Sequence, residues 1–170
     1  MDTFFEQIVT IKKSGKVTII AAAVWLFAFF IAAFIFVSGI LSGPLAAIII
    51  IGIGYGAWWL TSKLNIEYEY IVTNGSMDID KIINKSSRVR VSSFELSRVE
   101  RIEKYNPNLL QSVSKENIVF ACNQGDENAY LMVASREDTK VNYVVFSPNE
   151  KVKNAIIKFV PKFIANSAFK

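Results

Sequence analysis

Histidine is absent from this 170-residue chain, and cysteine occurs once, at Cys122. Without an imidazole there is no Ser-His or Cys-His pair and no histidine-ligated metal, and a lone thiol forms no internal disulfide. Cys122 alternates with Ile118 and Phe120 in a strand-like stretch, so it reads as a small buried residue rather than a nucleophile. Proline and glycine are scarce, 4 and 8 residues, so the places they occupy punctuate the chain. Charge is missing locally: none of the side chains from Val17 to Ser62 carries one.

That uncharged run is long enough for two membrane spans, each needing roughly 20 apolar residues. A single helix over it would be about 69 Å long, roughly twice the hydrocarbon core. Gly39, Gly43 and Pro44 fall in its middle, in SGILSGP, and predict a break. The expected division is a segment 1–16, a helical hairpin over 17–61 with spans 17–37 and 45–61, and a separate domain over 64–170. A cleaved signal peptide does not fit the first span, because signal cores are about 7 to 15 residues long.

Lys12, Lys13 and Lys16 precede the first span, Lys63 follows the second, and the connecting loop has no basic residue. By the positive-inside rule both termini are expected in the cytoplasm and the protein in the cell membrane as a multi-pass chain. Tyr55, Trp58 and Trp59 suit the aromatic belt at the exit of the second span. Small residues recur at helical spacing as Ala28 and Ala32 in the first span and Gly52 and Gly56 in the second. They are candidate helix-packing positions, either within the hairpin or between two copies.

Past Lys63 the pattern changes to alternation. IEYEYIVT, residues 66–73, turns Ile66, Tyr68, Tyr70 and Val72 to one face, and Asn74-Gly75 supplies a two-residue hairpin turn. Folding back sets Val72 opposite Met77 and Tyr70 opposite Ile79. The other face gathers Glu67, Glu69, Asp78 and Asp80, which raises the question of a hard-cation site. Arg88 and Arg90 of the next strand fall on the same face, with Arg90 beside Asp80, so a solvated ion ladder accounts for the pattern and no metal is expected. Further strands are predicted at about 99–105, 117–123, 129–135 and 140–147, with a loop over 109–116 and turns at QGDEN and REDT. A helix follows, with Ser147 as N-cap and Pro148 at its first position, and Pro161 should kink or stop it near Val160. Val152, Ile156, Phe159 and Phe163 form its apolar face, and Lys151, Lys158 and Lys162 a basic stripe that is a candidate lipid or partner contact.

The positive net charge of +4 suggests nucleic acid, but residues 64–147 hold 10 basic against 12 acidic side chains. No nucleic-acid partner and no cofactor are expected.

The expected fold class is α+β: a two-helix transmembrane hairpin, then about seven antiparallel strands, four and three, and a C-terminal amphipathic helix. In IEYEYIVTNGSMDID and RVRVSSFELSRVERI the soluble half resembles the bacterial PH-like, pleckstrin-homology-type domains. The two-span layout resembles a small membrane family of Gram-positive, clostridia-type bacteria. The resemblance implies a barrel or sandwich closed by the last helix, and it implies no phosphoinositide site, since the Asn74-Gly75 turn has acidic flanks. The expected role is a membrane-anchored binding or scaffold module without catalysis. The alternative is an accessory subunit of a larger membrane transporter or complex, and the expected partners are the bilayer and either a membrane protein or a second copy.

Overall fold

The computed structural model describes residues 4–41, 43–135 and 141–169, so the REDT turn and Ser42 of the inter-span loop lie outside the described residues. The chain forms two compact units, one of residues 12–66 and 83–85, the other of residues 1–11, 67–82 and 86–170.

The smaller unit holds helices α1 (Gly15–Ser38) and α2 (Gly43–Ser62), both long and apolar enough to cross a membrane. They are apolar on all sides, as expected of helices solvated by lipid rather than by a core. Ser14 caps α1 by accepting from the Val17 N–H at 3.4 Å, and Gly39 ends it at φ 61°, a left-handed conformation that an L side chain resists. Ala28 and Ala57 are the buried apolar residues of the pair.

The larger unit holds two sheets, β1-β2-β3-β4 and β5-β7-β8-β6. The first comprises β1 (Phe4–Thr10), β2 (Ile66–Thr73), β3 (Ser76–Ile83) and β4 (Ser87–Glu95). The second comprises β5 (Val99–Lys104), β6 (Ile118–Phe120), β7 (Tyr130–Ser135) and β8 (Val141–Phe146). The fold is thus of the predicted α+β class, with differences in how its strands are shared out. Within the N-terminal segment expected over residues 1–16, β1 pairs antiparallel with β2 from Phe4↔Thr73 to Thr10↔Glu67. The strand predicted at 99–105 lies in the second sheet. β6 runs parallel to β8, so that sheet is mixed.

Asn74 (φ 48°) and Gly75 (φ 92°) form the predicted tight turn, now the second connection of the first sheet. A Cβ at Gly75 would lie 3.2 Å from the Phe159 ring, so close approach as well as positive φ requires glycine there. In β4, Val91 and Phe94 both pack against the core while Arg90 and Ser93 both reach Asp78.

The main core joins Tyr70, Met77 and Ile79 of the first sheet to Met132, Val144 and Phe146 of the second and to Val152 and Ile156 of α3 (Glu150–Phe159). A second cluster, Leu131, Val133 and Val145 with Leu110, lies on the opposite face of the second sheet. Covered on both faces, β7 reads YLMVAS, continuously apolar up to its last residue rather than alternating. The predicted loop over 109–116 contributes to that cover through Leu109, Leu110 and Val113.

Two expectations for the last helix are corrected. Its N-cap is Asn149, whose Oδ1 accepts from the Val152 N–H at 2.9 Å, not Ser147. The Ser147 N–H donates to the Tyr70 hydroxyl and its carbonyl accepts from Gln7, so the helix starts only after these bonds. Phe163 leaves the apolar face and is 70% exposed, because the chain breaks at Pro161 and the short α4 (Lys162–Ala165) buries Ile164 instead.

Candidate functional site

The charged outer face of the first sheet is built by alternation: Glu67 and Glu69 on β2 and Asp78 and Asp80 on β3 share the side opposite Tyr70 and Ile79. Arg90 lies beside Asp80, as the expected register has it, with Nε 2.9 Å from Oδ1, and its Nη1 is 2.9 Å from Asp78 Oδ2. Ser93 donates to Asp78 at 2.6 Å. The side-chain bond to Asp80 and the two aspartate charges push the Arg90 pKa up further.

Glu69 departs from the expected solvated ladder, because its side chain is 0% exposed. Arg88 Nη1 reaches Oε2 at 2.9 Å, yet that arginine is 60% exposed and its pull is weakened by water. Burial, followed by the Glu6 carboxyl of β1, pushes the Glu69 pKa up against that pull. The face binds its own strands together: each of Glu69, Asp78 and Asp80 has an arginine partner. Among the described residues no group of three or more carboxylate, thiol or imidazole side chains is disposed to hold a metal.

The two sheets are bolted by Tyr70. Its buried hydroxyl donates to the Ala121 carbonyl at 2.6 Å and accepts from the Ser147 N–H at 3.2 Å. Gln7 of β1 does similar work at the rim, donating to the Ser147 carbonyl at 2.9 Å and accepting from the Asn149 N–H at 2.7 Å. β1 and Gln7 were missed in the sequence, although FFEQIVT is rich in strand-forming residues and free of glycine and proline. Cys122 is half-buried, and desolvation, with Asp126 nearby, raises its thiol pKa to about 11. It is therefore protonated at neutral pH and a poor nucleophile.

The candidate lysines are all exposed: Lys151 and Lys158 two turns apart on α3, Lys162 at the start of α4 beyond the proline break. Lys153, not singled out in the sequence, is held inward. Its Nζ is 3.0 Å from Glu150 and 5.1 Å from the centre of the Tyr130 ring, which meets Phe169 edge-on at 4.9 Å. In the hairpin Ala28 is buried and Ala32 half-buried, whereas Gly52 is exposed and Gly56 half-buried. A Cβ at either glycine would meet nothing within 4 Å.

Residues 1–166 match the family described as bacterial PH-like domain (DUF6106), so the matched region takes in β1, both apolar helices and both sheets. No curated protein and no solved structure matches the chain.

Proposed function

The chain belongs to the bacterial PH-like domain family, and from that premise we propose that it is a membrane-anchored binding or scaffold module, without catalysis, at the inner face of the cell membrane. The observation that carries this reading is where the helices enter the domain. α1 and α2 lie in sequence between β1 and β2, which are hydrogen-bonded neighbours of one sheet. Paired strands share one compartment, so the two ends of the hairpin emerge on the same side of a membrane, as an even number of spans requires. The basic residues Lys12, Lys13, Lys16 and Lys63 flank those ends and favour the cytoplasmic side.

Such a domain hangs on two short covalent links, residues 11–14 and 63–65, instead of one. Holding the domain at the membrane raises its effective concentration for partners along the leaflet. Lys151, Lys158 and Lys162 are the proposed contacts to a partner or to anionic lipid. A second reading, an accessory subunit of a larger membrane complex, is favoured by the open surface at Gly52, where a helix of another chain could approach closely.

Single cysteines at Ile40 and Asn166, in a Cys122→Ser background, test the arrangement with an impermeant thiol reagent. The expected result is labelling of Ile40→Cys in intact cells and of Asn166→Cys only after lysis. The reverse pattern would overturn the inner-face reading, and equal labelling of both in intact cells would overturn the two-span hairpin.

A further inference from the structure

Positive charge is concentrated, with no acid beside it, in the smaller unit. The unit of residues 12–66 and 83–85 contains Lys12, Lys13, Lys16, Lys63 and Lys85 and no acidic residue, whereas the whole chain has a formal net charge of only +4. The rest of the molecule is therefore slightly negative. Four of the five lysines flank the helix ends in sequence, but Lys85 is brought there by the fold. It lies in the turn between β3 and β4, where the Asn84 N–H donates to the Asn65 carbonyl at 2.9 Å, just past the end of α2. Asn84 and Lys85 both take positive φ, 51° and 56°, a conformation that costs a lysine free energy and that glycine or asparagine would adopt more readily.

Aromatic side chains mark the depth of this end. Tyr55, Trp58 and Trp59 are exposed near the end of α2, and Lys63 Nζ sits 3.3 Å from the centre of the Trp59 ring. Tryptophan and lysine together favour the headgroup level, the ring among the carbonyls and the ammonium among the phosphates.

We infer that Lys12, Lys13, Lys16, Lys63 and Lys85 form a basic collar at one end of the hairpin that binds anionic phospholipid headgroups in preference to zwitterionic ones. The inference rests on the hairpin being inserted in a membrane, as proposed above. Lysines that served only to orient the spans during insertion would need no contribution from Lys85, which follows both spans in the chain. The collar gives it one: each lysine at the surface adds about 1 kcal/mol of attraction to an anionic leaflet, equivalent to about fivefold in affinity, and the effect weakens with salt.

The test uses the full-length chain with Trp25→Phe, so that Trp58 and Trp59 report, in vesicles containing brominated phosphatidylglycerol or brominated phosphatidylcholine. The expected result is quenching at much lower mole fraction of the anionic lipid, a preference reduced up to about fivefold by Lys85→Gln and by Lys16→Gln, lost at high salt, and unchanged by Lys115→Gln in the other unit. Equal quenching by the two lipids would overturn the collar and leave the inserted hairpin standing. An unchanged preference in Lys85→Gln would overturn it also, reducing the lysines to orientation signals. Absence of quenching by either lipid would overturn insertion itself and the collar with it.

Discussion

Replacing Tyr70 with phenylalanine removes one oxygen from the interior and leaves the ring, its edge-on contact with Phe146 at 5.8 Å included, in place. Two backbone groups lose their partner. The Ala121 carbonyl, bonded at 2.6 Å, belongs to a fully buried residue and has no water to turn to; the Ser147 N–H, bonded at 3.2 Å, belongs to a half-buried residue and recovers part of its loss from solvent. An unsatisfied buried polar group costs about 1–3 kcal/mol, so Tyr70→Phe is expected to destabilise the domain by about 2–4 kcal/mol. For a domain of this size that lowers the melting temperature by roughly 10–20 °C. Burial raises the Tyr70 phenol well above its ordinary pKa, so the effect should be the same across the neutral range. Near-UV circular dichroism of the detergent-solubilised chain reads the transition, with Tyr68→Phe, a half-buried ring of the same strand, as the matched control. A loss below about 1 kcal/mol, or an equal loss in the control, would refute the bolt between the sheets.

The N-terminal strand should be needed for stability. A chain of residues 64–170 alone is expected to melt several kcal/mol below one in which residues 4–11 are joined by a short glycine-serine linker to residues 65–169, because Phe5, Val9 and the two Gln7 bonds are lost; equal melting would remove β1 from the fold. Glu69→Gln should increase stability at pH 7. A carboxyl whose pKa is raised by folding binds its proton more tightly in the folded state, so wild-type stability falls as pH rises from the unfolded value, about 4.3, through the raised folded one. The advantage of the variant should therefore fade as melting is measured towards pH 4, and a variant less stable at pH 7 would show that the Arg88 pair outweighs burial.

What the sequence determined by itself rests on physics that acts within a few residues. A long uncharged run with glycine and proline at its middle specifies two long apolar helices, Asn-Gly accepts the positive φ of a tight turn, and Pro161 lacks the N–H that a helix would use, so both helices, the β2–β3 hairpin and the end of α3 were readable. The resemblance carried the PH-like class for the same reason, through strands and turns that are local. The tertiary structure decided which separate pieces meet. β1 is half of a pair whose other half lies beyond two helices, and a short strand with ragged alternation gives no sign of a partner that distant. The N-cap passed from Ser147 to Asn149 because Tyr70 and Gln7 claim the serine's backbone. Glu69 lost its water to Arg88 and Glu6, and Lys85 reached the end of the hairpin through one bond between Asn84 and Asn65. In each case the deciding contact joins residues that only folding makes neighbours, and its free energy is not a property of either segment alone.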